Sequence, residues 1–190
     1  MTLAEWIAMP EDEPGELVDG LLEEEEMPDL VHETVVAWLV RVLASWIVGR
    51  GGFVFGSEAK LAVRPGTGRK PDVTVYMPGK VLPRRGAVRI PPDVAVEVVT
   101  PTPRDAHRDR VEKLGDYAAF AVPYYWIIDP ERRSLEIFVL GSGGRYVHAL
   151  GAGAGRLAEI PGCEGLALDL DALWAEVERL GPEEPGTESS

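Results

Sequence analysis

The chain has 190 residues, a formal net charge of −13, 45% hydrophobic and 27% charged residues, and one cysteine. That length and mix predict one globular domain over residues 1–180 with a well-buried core, followed by a disordered tail at 181–190. Cys163, being alone, excludes an intrachain disulfide and a cysteine metal cluster, and reads as a small core residue rather than a reactive thiol.

No apolar run reads as long enough to span a bilayer. The opening "MTLAEWIAMPEDEPGE" has no basic region ahead of an apolar one, so it does not read as a secretory signal. A cytoplasmic protein with no membrane partner is expected. The sequence has no Asn and no Gln, and 15 Arg against 4 Lys. Loss of thermolabile amides is a mark of heat adaptation, so a thermophilic source is one hypothesis and a coding bias the other.

The charge is unevenly spread. Residues 1–40 hold 12 acidic and no basic residues, residues 41–150 carry a net +6, and residues 151–190 a net −7. Salt screens charges beyond about 10 Å, so a basic middle meets a polyanion largely on its own terms. The acidic total therefore does not exclude DNA, though it predicts weak non-specific binding.

In chain order, residues 1–29 form an acidic lead-in with a short hairpin at "GELVDGLLEEEE", where Glu23–Glu26 read as a solvated face. Val35, Leu39, Val42, Leu43 and Trp46 recur at helical spacing in "LVHETVVAWLVRVLASWIVG", and Gly51–Gly52 stop that helix. "FVFGSEAKLAV" (53–63) predicts one strand or a bent pair. "DVTVYM" (72–77) and "DVAVEVV" (93–99) alternate, with valines on one face and Asp72 and Glu97 on the other. The basic segment between them, "PGKVLPRRGAVRIPP", reads as a mobile surface loop. A helix from about Asp105 to Ala121 carries Lys113. "YYWIID", "SLEIFVL" and "RYVHAL" predict strands joined by tight turns, Asp129 starting one of them, and "LDLDALWAEVERL" a terminal helix. The order predicts an α/β or α+β domain built on a central sheet.

Glu97 is a carboxylate within an apolar strand, and a buried carboxylate needs a partner. If its strand adjoins that of Asp72, the two acids converge and need a cation or a shared proton. All-oxygen ligands favour Mg²⁺ or Mn²⁺, which accepts phosphate oxygens and activates water. Lys113, one helix later, is the candidate to orient that water or neutralise developing charge; its bland alternative is an i,i+4 partner of Asp109.

"PDVTVY", "PDVAVEVVTPT" and "RVEKLGDYAAFAVPYYWIIDPERRSLEIF" together resemble the bacterial family of putative restriction endonucleases, the Uma-type proteins, of the PD-(D/E)XK nuclease superfamily. The resemblance covers roughly residues 14–150 and extends upstream to "GELVDGLL" and "VFGSEAKLAV". It implies a restriction-endonuclease-like αβββαβ core, Asp72 and Glu97 as metal ligands with the Val98 backbone carbonyl as a third, and Lys113 as the catalytic lysine. The superfamily's usual lysine slot, two residues after the acid, is here Val99.

Glu58 could approach the same ion or pair with Lys60 or Arg64. His32 and Glu33 are accessory candidates at the start of the first long helix, with helix-start polarity as the simpler account. Tyr117 lies one turn beyond Lys113 and is read as accessory or core. Tyr124, Tyr125 and Trp126 read as core, and His107 and His148 are too isolated for a zinc site. Arg69, Lys70, Arg84 and Arg85, within the basic 64–110 stretch, are the candidates to approach nucleic-acid phosphates.

A metal-dependent DNA endonuclease is thus expected. A lapsed nuclease fold serving as a binding or assembly module, and an enzyme of small phosphate esters, are the alternatives. A homodimer follows by analogy with enzymes that cut two strands.

Overall fold

Valines at alternate positions give two neighbouring strands a common apolar face, and the first long helix supplies its cover. In the computed structural model, which describes residues 1–10, 15–23, 28–100 and 111–181, these strands are β6 (Val73–Tyr76) and β7 (Val94–Val98), and the helix is α2 (Leu30–Ile47). Val73, Val75, Val94, Val96 and Val98 pack with Val35, Leu39, Leu43 and Ile47 of α2 and with Leu173 and Trp174 of the last helix, α4 (Leu170–Glu178). Asp29 caps α2 by accepting the His32 N–H at 2.7 Å.

The central sheet has six strands in the order β10-β9-β8-β7-β6-β3, with β3 spanning Phe53–Phe55, β8 Tyr124–Asp129, β9 Ser134–Leu140 and β10 Tyr146–Ala152. The β7–β8 pair is parallel and the others antiparallel. The parallel pair requires a crossover, which contains α3 (Lys113–Ala119). This is the mixed sheet flanked by helices that the element order predicts.

The face opposite α2 is also covered. Tyr76, Ala95, Val99, Tyr125 and Ile127 form a second core with Tyr117 of α3 and with Leu61 and Val63. Leu61 and Val63 belong to β4 (Leu61–Arg64), which pairs with β5 (Thr67–Arg69) in a separate four-stranded sheet, order β2-β1-β5-β4, completed by β1 (Glu16–Val18) and β2 (Leu21–Glu23). The 53–63 segment is therefore neither one strand nor a bent pair in one sheet: β3 joins the central sheet and β4 the small one. Leu168–Asp169 and Arg156–Leu157 form a further short pair.

Within the lead-in, β1 and β2 form the expected hairpin, and a helix α1 (Leu3–Ala8), closed by a Thr2–Glu5 capping box, precedes it, an element the sequence reading did not include. Its Trp6 is 1% exposed and lies against Gly68; a Cβ there would sit 2.3 Å from the ring. The Trp6 indole donates to the Gly15 carbonyl at 3.2 Å, and Lys60 Nζ donates to the Met9 carbonyl at 2.9 Å.

By length and composition Leu30–Arg50 is apolar enough to cross a bilayer, contrary to the sequence reading; here one face of α2 packs on the sheet. Cys163 is buried, and burial pushes its thiol up to about 12, in keeping with a core role. Asp129 caps its turn by accepting the Arg132 N–H at 3.0 Å. Tyr125 and Trp126 are core residues. Glu23 is half-buried; Glu24–Glu26, the expected helix start near Asp105, His107, Asp109 and the tail beyond 181 lie outside the described residues.

Gly68→Ala would push a methyl into the Trp6 ring. A destabilisation of about 1–3 kcal/mol is expected, read as a lowered denaturant midpoint with an unchanged slope.

Candidate active site

The antiparallel register of β6 and β7 pairs Val73 with Val96, so Asp72, the residue before β6, and Glu97, the residue after Val96, lie at the same end of the strand pair. The ladder then continues through a side chain: Val98 N–H donates to Asp72 Oδ2 at 2.7 Å. Asp72 Oδ1 lies 3.2 Å from His32 Nε2 at the start of α2, so three elements meet at Asp72.

Burial lowers the His32 pKa, but the bond to Asp72 and the charges of Asp72, Glu33 and Asp29 outweigh it, so the net shift is upward. Glu33 is exposed, with its carboxylate 3.7 Å from His32 Nδ1.

Glu97 is 2% exposed, and two of its partners come from α3. Lys113 Nζ donates to Oε2 at 2.8 Å, and the Tyr117 hydroxyl to Oε1 at 2.5 Å. Positions i and i+4 of a helix share a face, which lets one short helix grip both oxygens. Burial and then the Glu97 and Glu16 charges raise the Tyr117 pKa well above the ordinary phenol, so it stays a neutral donor. Lys113 is itself 2% exposed. Val99, in the usual lysine slot, packs in the second core with Tyr117 and Tyr125.

Behind Lys113 lies a buried charge chain that the sequence did not reveal. Glu16 Oε2 is 3.8 Å from Lys113 Nζ and accepts from Arg69 Nη1 at 2.8 Å, while Glu16 Oε1 accepts the Lys70 N–H at 2.6 Å. Arg69 donates through Nε and Nη2 to Asp116 Oδ2 at 2.9 and 2.6 Å. Asp116 Oδ1 in turn accepts from Arg64, which also pairs with Asp19 at 3.0 Å. Burial raises the Glu16 pKa, but Lys113, Arg69 and the Lys70 N–H more than reverse this, and it lies below the usual 4.5. A hint was present: Asp116 lies on the same short helix as Lys113, and a buried arginine needs such partners.

Two of the basic residues expected on nucleic acid are therefore elsewhere. Arg69 is 0% exposed and bound to two carboxylates, so it cannot lie on a phosphate in this arrangement. Lys70 is buried, with its ammonium 3.3 Å from the exposed Glu58. The ion pair foreseen for Glu58 with Lys60 or Arg64 thus goes to Lys70. Arg84 and Arg85 are exposed. His148 is an exposed residue of β10, 4.0 Å from Glu136. Among the described residues, no group of three or more His, Cys, Asp and Glu side chains is arranged to hold a metal ion.

The family model for Uma2, described as "Putative restriction endonuclease", matches residues 2–171. A crystal structure from Anabaena variabilis, described as a putative nuclease belonging to DUF820, superposes with a TM-score of 0.74 at 18% identity, covering 93% of this chain and 99% of that one. No curated protein matches the chain.

The lowered Glu16 pKa makes a testable link to stability. A depressed carboxylate contributes stability that is complete above its unfolded value and is lost as pH falls through the folded one. Glu16→Gln should therefore flatten the loss of folding stability below about pH 4.5, as read from denaturant melts across that range, and leave the slope above pH 6 unchanged.

Proposed function

The chain belongs to the Uma2 family of putative restriction endonucleases, and on that premise we propose that it is a metal-dependent endonuclease of the PD-(D/E)XK type that hydrolyses DNA phosphodiester bonds. The observation that supports this reading is the Asp72 carboxylate accepting the N–H of Val98, the residue after Glu97, at 2.7 Å, with the Lys113 ammonium 2.8 Å from Glu97 Oε2.

The donor chemistry fits Mg²⁺ or Mn²⁺. Such an ion is commonly held by one or two carboxylates with water and substrate phosphate completing the shell. Asp72 accepts two hydrogen bonds, from Val98 and His32, of about four that a carboxylate can take. Asp72 and Glu97 would hold the ion, with the Val98 carbonyl as a further oxygen. When bound, the ion would lower the pKa of a coordinated water and stabilise charge on the phosphodiester.

The protein's own groups have separable tasks. Val98 N–H and His32 fix the Asp72 carboxylate from two sides. Tyr117 and Lys113 fix Glu97, and the Lys113 charge lies where it can offset negative charge building on a transferring phosphate. Glu16, held by Arg69, stands 3.8 Å from that ammonium as a second counter-charge. Arg84 and Arg85, exposed, supply the phosphate contacts.

With plasmid DNA and Mg²⁺ or Mn²⁺, Asp72→Ala and Glu97→Ala should each abolish nicking, and Lys113→Met should reduce it about 10²- to 10³-fold. Circular dichroism confirms folding of each variant. Metal-dependent cleavage undiminished in both acid variants would refute the assignment.

A second reading, a lapsed nuclease acting as a binding or assembly module, is favoured by the burial of Lys113 and Glu97 and by Val99 in the strand slot. Titration calorimetry separates the two. The nuclease should bind Mn²⁺ at millimolar concentration with loss of the signal in Asp72→Ala, whereas the module should give none.

A further inference from the structure

Phe53 and Phe55 are large apolar side chains left 45% and 39% exposed on β3, an edge strand of the central sheet. Their rings are stacked, with centroids 6.0 Å apart and planes 9° from parallel. Phe55 is opposite Thr74 and Phe53 opposite Tyr76 in the β3–β6 register, so both project from the face of Tyr76 and Ala95, on which Tyr117 reaches Glu97. Tyr76 supports Phe55 edge-on from the core, centroids 5.9 Å apart, which fixes the ring before any ligand arrives.

The same Phe55 lines a cavity of about 170 Å³ with Lys60, Leu82, Arg84 and Arg85. Glu58, also on that lining, is offset by Lys70. Arg84 and Arg85 are exposed and have no ion-pair partner among the described residues. Flat exposed rings beside unpaired guanidinium groups form the pairing that grips an unpaired nucleic-acid strand: bases stack on the rings and phosphates meet the cations.

We infer that Phe53 and Phe55 form a base-stacking platform that, with Arg84 and Arg85, binds an unpaired strand next to the Asp72–Glu97 pair. The inference rests on the nuclease reading and deepens it, since it names single-stranded or locally opened nucleic acid as the bound form. A duplex keeps its bases stacked on one another and offers such rings nothing.

The test separates base from backbone. Fluorescence anisotropy in EDTA, where cleavage is suppressed, would compare a labelled single-stranded oligonucleotide with the same strand carrying consecutive abasic sites, and with its duplex. The wild-type protein should prefer the base-bearing single strand. The double variant Phe53→Ala/Phe55→Ala should lose about 5- to 140-fold in affinity for it, the span expected for one stacked base, while binding the abasic strand as before. Phe55→Trp should retain the preference. Arg84→Ala/Arg85→Ala should weaken both strands alike.

Equal affinity for base-bearing and abasic strands, or an unaltered preference in the double-alanine variant, would overturn the platform even if Asp72 and Glu97 still governed cleavage. A DNA-free dimer that sedimentation shows to dissociate in the double-alanine variant would also overturn it, marking the rings as a contact between copies. Metal-independent loss of all oligonucleotide binding, together with absent nicking, would instead overturn the nuclease reading on which it stands.

Discussion

The bond between Lys113 and Glu97 is the constraint around which this molecule is arranged. Both groups are 2% exposed, and neither would be tolerated there alone. Removing one partner from such a pair typically costs about 3–5 kcal/mol, because a bare charge remains in a poor dielectric. The surrounding architecture answers that demand. Tyr117 satisfies the second Glu97 oxygen, Glu16 stands beyond the ammonium, and Arg69 and Asp116 balance Glu16. Charges alternate along the chain, so the second core carries several ionised groups without a large local excess of either sign.

This explains why a four-stranded sheet sits against α3. Arg69 comes from β5, Glu16 from β1 and Arg64 from β4, and each is delivered to a carboxylate or ammonium of the central layer. The small sheet is thus both apolar cover, through Leu61 and Val63, and a source of counter-charge. Trp6 over Gly68 secures it from outside. Glu97 is held within β7 and Asp72 directly before β6, a stiffer support than a long loop would provide.

Much of the central layer was legible from residue pattern. The alternation in 72–77 and 93–99 identified β6 and β7, because a period of two leaves no other assignment when one face is apolar. Helical spacing gave α2, and β8, β9 and β10 followed from β-branched and aromatic runs between tight turns. Lys113 was found through family likeness and its place one helix after Glu97. His32 was legible as a helix-start polar residue, yet its contact with Asp72 depends on how α2 lies across the sheet, which no local pattern encodes. The β1–β2 hairpin of the small sheet was read from "GELVDGLLEEEE", but its pairing with β5 and β4 escaped, because those strands are three or four residues long, too short for periodicity to register. Arg69 misled for a related reason. A basic residue in a basic stretch reads as surface, and only long-range folding brings Glu16 and Asp116 to it.

Placing the ammonium on α3 rather than on β7 has a mechanical consequence. A lysine two residues after the acid on one strand moves rigidly with it. Here the cation and the carboxylate ride on different elements, and a slide of α3 by little more than an ångström would lengthen a 2.8 Å contact beyond hydrogen-bond range. The pair then depends on how firmly one seven-residue helix is seated, so anything that loosens its seat would part the two charges without altering either residue.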